Sequence, residues 1–230
     1  MEPNGKVAIT YPSYKSFDGF IDVERLKSLD DYLTQRIKKH VEFHNDLAFY
    51  TGPYRLQENE PDRPGSRMIY LAQSSRPDSY FDLNQSELWH ATEATSEFSL
   101  LMDFIATLPF KSTGRMLIMY DNIGRAVTAH RDHTESDICH EFVWFRTNLR
   151  KPFYLLNPRT DEKKYVESYS AWFDTVNQFH GSDAVEGLTF SIRVDGTFTD
   201  EFKSQIPPAN SGNIAATPSL WASLESIKQS

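Results

Sequence analysis

Arg115-Met-Leu-Ile-Met-Tyr120, Cys139-His-Glu-Phe-Val-Trp-Phe-Arg-Thr147, Pro152-Phe-Tyr-Leu-Leu156, Lys164-Tyr-Val-Glu167, Ala171 to His180 and Gly187 to Val194 are short runs separated by turn residues. Runs of this length, rich in β-branched and aromatic side chains, predict a succession of antiparallel strands from Gly114 onward. Upstream the period changes. Asp22 to Asn45 places Leu26, Leu29, Leu33, Ile37 and Val41 at steps of three and four, which predicts an amphipathic helix. A second helix is expected from near Asn84, with Glu87 placed for a capping box and Pro109 as its stop. Its apolar face carries Leu88, Ala91, Thr95, Phe98, Met102 and Ile105. Helices followed by a run of strands predict an α+β architecture, with the helices buttressing one sheet of a β-sandwich or barrel.

The flanks are less regular. Lys6 to Pro12 alternates like a strand, and Thr51 to Asn84 is turn-rich around a strand-like island, Arg67 to Ala72. Gln205 to Pro218 reads as a loop, and Leu220, Trp221, Leu224 and Ile227 sketch a terminal helix that could dock, cap a site or mediate a homodimer. No boundary divides the 230 residues. The expectation is one domain: support in 1–113, a β core in 114–196 and a tail in 197–230.

Composition narrows the class. With 24 Lys and Arg against 32 Asp and Glu, the net charge is −8, so the chain lacks the cations to gain affinity from phosphate counterions. No nucleic-acid partner is expected, and the longest apolar stretch, Phe98 to Ile105, is too short to span a bilayer. One cysteine, Cys139, excludes an internal disulfide and fits a reducing compartment. It reads as a small buried hydrophobe rather than a nucleophile. The start of the chain carries no apolar secretory segment, so a cytoplasmic protein is expected.

The chemistry is sought among seven histidines. Two His and one carboxylate on one face of a metal leave positions open, the arrangement of mononuclear ferrous sites. His40-x-Glu42, His44-x-Asp46, His130-x-Asp132 and His133-x-Glu135 all have the short His-x-acid form, so that form alone does not choose. Context separates them. His40 and His44 lie on the first predicted helix, where no third ligand is obvious. His130 follows the strand-like Ala126-Val-Thr-Ala129; His180 lies 50 residues on, and Arg193 a further 13. On that last strand Thr189, Ser191 and Arg193 share one face, and an Arg on an otherwise buried strand needs an anionic partner. His133-x-Glu135, 47 residues before His180, remains the rival pair.

Tyr120 to Asp132, Phe142-Val-Trp-Phe-Arg-Thr-Asn148, Phe173 to His180 and Phe190-Ser-Ile-Arg-Val-Asp195 together resemble the iron(II)- and 2-oxoglutarate-dependent oxygenases, nearest to the aspartyl/asparaginyl hydroxylase and proline 3-hydroxylase branch. The resemblance covers roughly residues 114–196. It implies a double-stranded β-helix (jelly-roll, cupin-like) core, Fe(II) held by His130, Asp132 and His180, and the distal carboxylate of 2-oxoglutarate on Arg193, with Ser191 or Thr189 beside it. The basic residue that the branch commonly carries before its Thr-Asn pair falls on His140 or Phe142, depending on register. The implied reaction consumes O2 and 2-oxoglutarate and hydroxylates a small-molecule substrate, by analogy an amino acid or derivative.

Two other classes compete: a cupin-like metal enzyme without 2-oxoglutarate, and a non-catalytic β-sandwich module whose histidines are core residues. His130-Arg131-Asp132 also has the form of a kinase catalytic loop, but Asp137 stands where that loop needs Asn and no Gly-rich loop precedes it. Trp144, Phe142, Phe145 and Phe153 read as core, and Arg125, Arg131, Arg146 and Arg150 as a cluster that is partly solvated and partly available to a substrate carboxylate.

Overall fold

The computed structural model describes residues 12, 14–43, 67–74, 83–132, 141–158, 160–175 and 178–205. In chain order the elements are β1 (Lys15–Ser16), α1 (Val23–Ser28), α2 (Asp30–Phe43), β2 (Arg67–Ser74), a 3-10 turn (Ser86–Leu88), β3 (Trp89–Ala91), α3 (Ala94–Glu97) and α4 (Ser99–Ile105). Then come β4 (Phe110–Asp121), β5 (Val127–His130), β6 (Phe142–Phe145), β7 (Phe153–Asn157), β8 (Glu162–Tyr165), β9 (Ser170–Trp172), β10 (Phe179–Ser182), β11 (Thr189–Phe198) and α5 (Asp200–Gln205).

The strands form two sheets. The larger runs β1-β9-β6-β11-β4-β2-β3 and the smaller β5-β10-β7-β8, with every pairing antiparallel. From β4 to β11 the chain passes back and forth between the sheets. It leaves β9-β6-β11-β4 facing β5-β10-β7-β8, which is a double-stranded β-helix, the jelly-roll sandwich expected. β1, β2 and β3 extend only the larger sheet.

Alternation along the strands sorts side chains between two environments. Val143 and Phe145 of β6, Ile118 of β4, and Ile192 and Val194 of β11 join Leu26, Leu33, Ile37, Phe98 and Phe104 of the helices in one apolar core. Phe104 meets Phe145 at 5.5 Å between ring centroids. The intervening residues Leu117, Met119, Trp144, Ser191 and Arg193 line a cavity, Trp144 being part of the buried cluster as well. The helices thus buttress one face of the larger sheet, and the other face is left for a site. Asp22 caps α1, its carboxylate accepting from the Arg25 N–H at 2.9 Å, and Asp30 and Asp31 place negative charge in the first turn of α2.

Three expectations are corrected. The helix expected over Asp22–Asn45 is two, α1 and α2, meeting at Leu29. The helix expected from Asn84 to Pro109 is interrupted: Trp89–Ala91 is a strand because β2 offers it an edge, with Ser74 opposite Trp89 and Ala72 opposite Ala91. The capping box is not built: Asn84 Oδ1 has no hydrogen-bond partner among the described residues, and Gln85, at the start of the 3-10 turn, makes no side-chain cap bond. Ala171 to His180 is not one strand but β9 and β10 in different sheets, because the chain crosses the sandwich between them. The strand expected over Lys6–Pro12, most of the Thr51–Asn84 stretch, the Gln205–Pro218 loop beyond its first residue and the terminal helix at Leu220 fall outside the described residues, as does Cys139.

Candidate metal centre

His130 and His180 are 50 residues apart in the chain and direct partners across β5 and β10. Their ring centroids lie 4.5 Å apart. This close pairing needs Gly181: a Cβ there would stand 2.6 Å from the Val127 carbonyl oxygen and 2.7 Å from Tyr154 Oη. Asp132 lies two residues past the end of β5, and its N–H donates to the Thr175 carbonyl at 2.9 Å, fixing the loop against the chain leading into β10. Asp132 Oδ1 is 3.2 Å from His180 Nε2 and 3.8 Å from His130 Nε2. One ligand atom from each of the three residues falls within 4.8 Å of the others, and among the described residues this is the one such group.

The backbone selects the ring nitrogens. His130 Nδ1 is 2.8 Å from the Thr128 carbonyl and His180 Nδ1 is 3.2 Å from the Gln178 carbonyl. A carbonyl only accepts, so each Nδ1 donates there and each Nε2 is the nitrogen turned toward the group and offered to a metal, an outer-shell arrangement typical of His ligands. His180 is buried and His130 half-exposed, which puts the group at the rim of the cavity.

Asp132 divides its oxygens. Oδ1 faces the imidazoles while Oδ2 accepts from Arg193 Nη1 at 3.0 Å. Burial works to raise its pKa, but His180 and the Arg193 and Arg115 guanidiniums outweigh it and hold the carboxyl well below the ordinary range. Arg193 Nε donates to Asp195 Oδ1 at 3.0 Å, and Arg115 Nε to Asp195 Oδ2 at 2.9 Å. The result is a buried chain, Asp132–Arg193–Asp195–Arg115, of two anions and two cations, with Arg193 lying 4.0 Å from the Phe142 ring centroid.

The cavity encloses about 490 Å³. Trp144, Phe153 and Phe173 form an apolar wall, the last two 6.0 and 5.3 Å from the His180 ring. A second polar cluster lines the same cavity. There Arg146 is 4% exposed and donates to the Ser168 carbonyl at 3.3 Å, to the Lys151 carbonyl at 2.9 Å and to the Val166 carbonyl. Desolvation pulls its pKa down to about 10. Lys151 Nζ donates to Asp121 Oδ2 at 2.6 Å and to the Arg125 carbonyl at 2.8 Å. Thr189 Oγ1, Ser182 Oγ and Arg193 Nη2 are buried cavity-wall atoms with no hydrogen-bond partner among the described residues. Arg193 Nη2 is 2.9 Å from Asp195 Oδ1 but lacks hydrogen-bonding alignment.

Of the residues singled out from the sequence, His130, Asp132, His180, Thr189, Ser191 and Arg193 all line this one cavity. His140, His133 and Glu135 are outside the described residues, and so is His44. His40 is buried and paired with Glu97 at 3.0 Å, away from the group. Phe142, Trp144 and Phe145 belong to the buried core as expected and Phe153 packs against it, while Trp144 and Phe153 also present a surface to the cavity. Arg125 and Arg150 are exposed, and Arg150 caps the Glu186 and Leu188 carbonyls at 3.1 Å. Arg115, Lys151 and the role of Asp195 were not singled out from the sequence. The signal for the first and last was their place on the same strand faces as Leu117 and Arg193.

No protein-family model matches the sequence, and no curated protein matches it. Among solved structures, the chain is similar to a Pseudomonas putida prolyl-4-hydroxylase at 10% identity and a TM-score of 0.41, covering 81% of this chain and 92% of that one. It is also similar to a Trichoplax adhaerens prolyl hydroxylase at 10% identity and 0.41, covering 75% and 80%. A viral collagen prolyl hydroxylase from Paramecium Bursaria Chlorella virus-1 gives 10% and 0.37, covering 79% and 93%. The fold assignment rests on the strand order of this chain.

Proposed function

We propose that this protein is an Fe(II)- and 2-oxoglutarate-dependent oxygenase that oxidises a C–H bond of a small molecule, with an amino acid or derivative as the substrate class. The observation that carries the reading is the convergence of His130 Nε2, His180 Nε2 and Asp132 Oδ1 within 4.8 Å at the rim of a double-stranded β-helix cavity. Two imidazoles and one carboxylate suit a ferrous ion and leave coordination positions open. The unpartnered polar atoms in the wall of the same cavity support a bound polar cosubstrate. When bound, the iron and 2-oxoglutarate supply the oxidising chemistry: O2 is consumed, 2-oxoglutarate becomes succinate and CO2, and the substrate C–H bond is oxidised.

The chain's own residues prepare that chemistry. Thr128 and Gln178 orient the two imidazoles through their carbonyls, and Arg193 keeps Asp132 ionised and turns Oδ1 toward the histidines. Trp144, Phe153 and Phe173 keep water from the interior of the cavity. None of the described helices is long and apolar enough to cross a membrane. The net charge of −8 and a cavity of about 490 Å³ support a small-molecule substrate over a nucleic acid.

A cupin-like metal enzyme that does without 2-oxoglutarate is the second reading, favoured by one observation: Arg193 is engaged by Asp132 and Asp195. Anaerobic titration of the purified protein with Fe(II) and then 2-oxoglutarate separates the two. A visible charge-transfer band that requires both additions is expected. Iron uptake with no spectral response to 2-oxoglutarate selects the second reading. Substrate-stimulated succinate formation across free and modified amino acids then tests the substrate class.

A further inference from the structure

We infer that Asp195, with Arg115 behind it, is a positioning residue for the metal centre: it fixes the Arg193 guanidinium, and Arg193 in turn fixes which oxygen of Asp132 is offered to a metal. The inference rests on the metal centre of the oxygenase reading above. Asp195 is 0% exposed. Its Oδ1 accepts from Arg193 Nε at 3.0 Å and its Oδ2 from Arg115 Nε at 2.9 Å, so both oxygens are engaged. Phe142, the partner of Asp195 on β6, has its ring centroid 4.0 Å from the same Arg193 guanidinium. An Arg side chain has several free rotations, and an anion at its Nε edge with a ring against it removes them. Nη1 is then aimed at Asp132 Oδ2, 3.0 Å away, and Asp132 Oδ1 is the oxygen left beside His180. Arg193 Nη2 has no hydrogen-bond partner among the described residues, so this role leaves it available to a cosubstrate.

The backbone is shaped for this contact. β4 and β11 pair residue for residue from Thr189 to Val194 and then slip. Val194 stands opposite Met116 but Gly196 opposite Thr113, so Gly114 and Arg115 together oppose Asp195. A bulge of this kind re-aims side chains, and bulges concentrate beside active sites. This one needs glycine: a Cβ on Gly114 would stand 1.8 Å from the Leu83 carbonyl oxygen, which accepts from the Arg115 N–H at 3.0 Å. Stability does not account for the pair. Apolar residues of similar volume commonly match or better a buried ion pair, so what Asp195 and Arg115 contribute beside a metal ligand is a fixed geometry.

The test is Mn(II) affinity by calorimetry for wild type, Asp195→Asn, Arg193→Gln and the double variant, with visible spectra of the Co(II)-saturated proteins and denaturant melts of the metal-free ones. Asparagine keeps the side-chain shape but turns an NH2 toward one guanidinium, donor against donor. Asp195→Asn and Arg193→Gln are each expected to weaken Mn(II) by about tenfold or more and to alter the Co(II) spectrum at saturation, which a purely structural role would not move. Because Asp195 acts through Arg193, the double variant should bind within about twofold of Arg193→Gln alone. Arg115→Gln is the second route where Asp195→Asn does not fold. It should weaken Mn(II) less than Arg193→Gln does and lose its effect in the Arg193→Gln background. Wild-type affinity and spectrum in the folded Asp195→Asn or Arg115→Gln protein, or losses that multiply in the double variant, overturn the positioning role alone. Wild-type protein that takes up neither Mn(II) nor Co(II) overturns the metal centre, and the oxygenase reading with it.

Discussion

Replacing Gly181 with Ala separates the geometry of the metal centre from its ligand chemistry, because no ligand atom is touched. Gly181 has φ outside the left-handed region, so Ala meets no backbone strain there and the whole effect is steric. The new Cβ would stand 2.6 Å from the Val127 oxygen, and the β5 carbonyl must retreat by about 0.8 Å to reach ordinary contact at 3.4 Å. Metal–ligand distances tolerate only about 0.2 Å, and β5 carries His130 three residues further on. Overpacking of this kind costs about 1–3 kcal/mol, which in a chain of this size lowers Tm by about 2–12 °C. Metal affinity is expected to fall further than stability does, by about tenfold or more, because His130 is carried off its position opposite His180. Differential scanning fluorimetry with and without Mn(II) gives both quantities: the melting point of the metal-free variant, and the increment that the metal adds. A Gly181→Ala protein that melts within about 1 °C of wild type and gains the same increment from Mn(II) would refute the link between β5–β10 packing and the centre.

Other outcomes follow from the same geometry. His130→Ala and His180→Ala are each expected to abolish metal-dependent 2-oxoglutarate turnover, while His133→Ala retains most of it; loss at 133 with retention at 130 would move the ligand assignment. At about a hundredfold excess over Kd, a divalent metal should stabilise the folded state by about 2.7 kcal/mol, reversed by a chelator; no shift in Tm would argue against a metal centre. Arg146→Met removes the donor to three carbonyls and should destabilise by about 3–5 kcal/mol in denaturant melts, whereas Lys163→Met, which breaks the exposed pair with Asp183, should cost less than about 1 kcal/mol. Burial works to raise the Asp183 pKa, but hydrogen bonds from Lys163 and Tyr165 prevail and depress it below 3.8. The stabilisation from that pair is therefore present above pH 3.8 and lost as pH falls through the depressed value. The gap between wild type and Lys163→Met should close on acidification below pH 3.8.

Local periodicity made most of the strands legible, because alternation and turn residues are properties of short segments. It misread Trp89–Ala91, where the helical spacing of Leu88, Phe98 and Met102 lost to an open edge on β2. It also fused β9 with β10, since nothing in Ala171–His180 records that its halves enter different sheets. The triad was visible as a spacing: His130-x-Asp132 beside a strand, and His180 at the end of another. Charge partnership was not. The Arg193 face signalled a buried cation in need of an anion, but Asp195, two residues away on the same face, and Asp132 are the anions it meets.

Chain order alone determined the strand-forming runs, the helical face of Leu26, Leu33 and Ile37, and the set of histidines able to bind metal, because each depends on residue type and near-neighbour spacing. Tertiary structure decided the rest. Antiparallel pairing of β5 with β10 put His130 opposite His180, and the facing of two sheets collected Arg193, Arg115, Arg146 and Lys151 around one cavity, with buried Asp195 joining the first two. Such cross-sheet distances depend on how the sheets stack and in what register, and no short-range pattern in the chain encodes them.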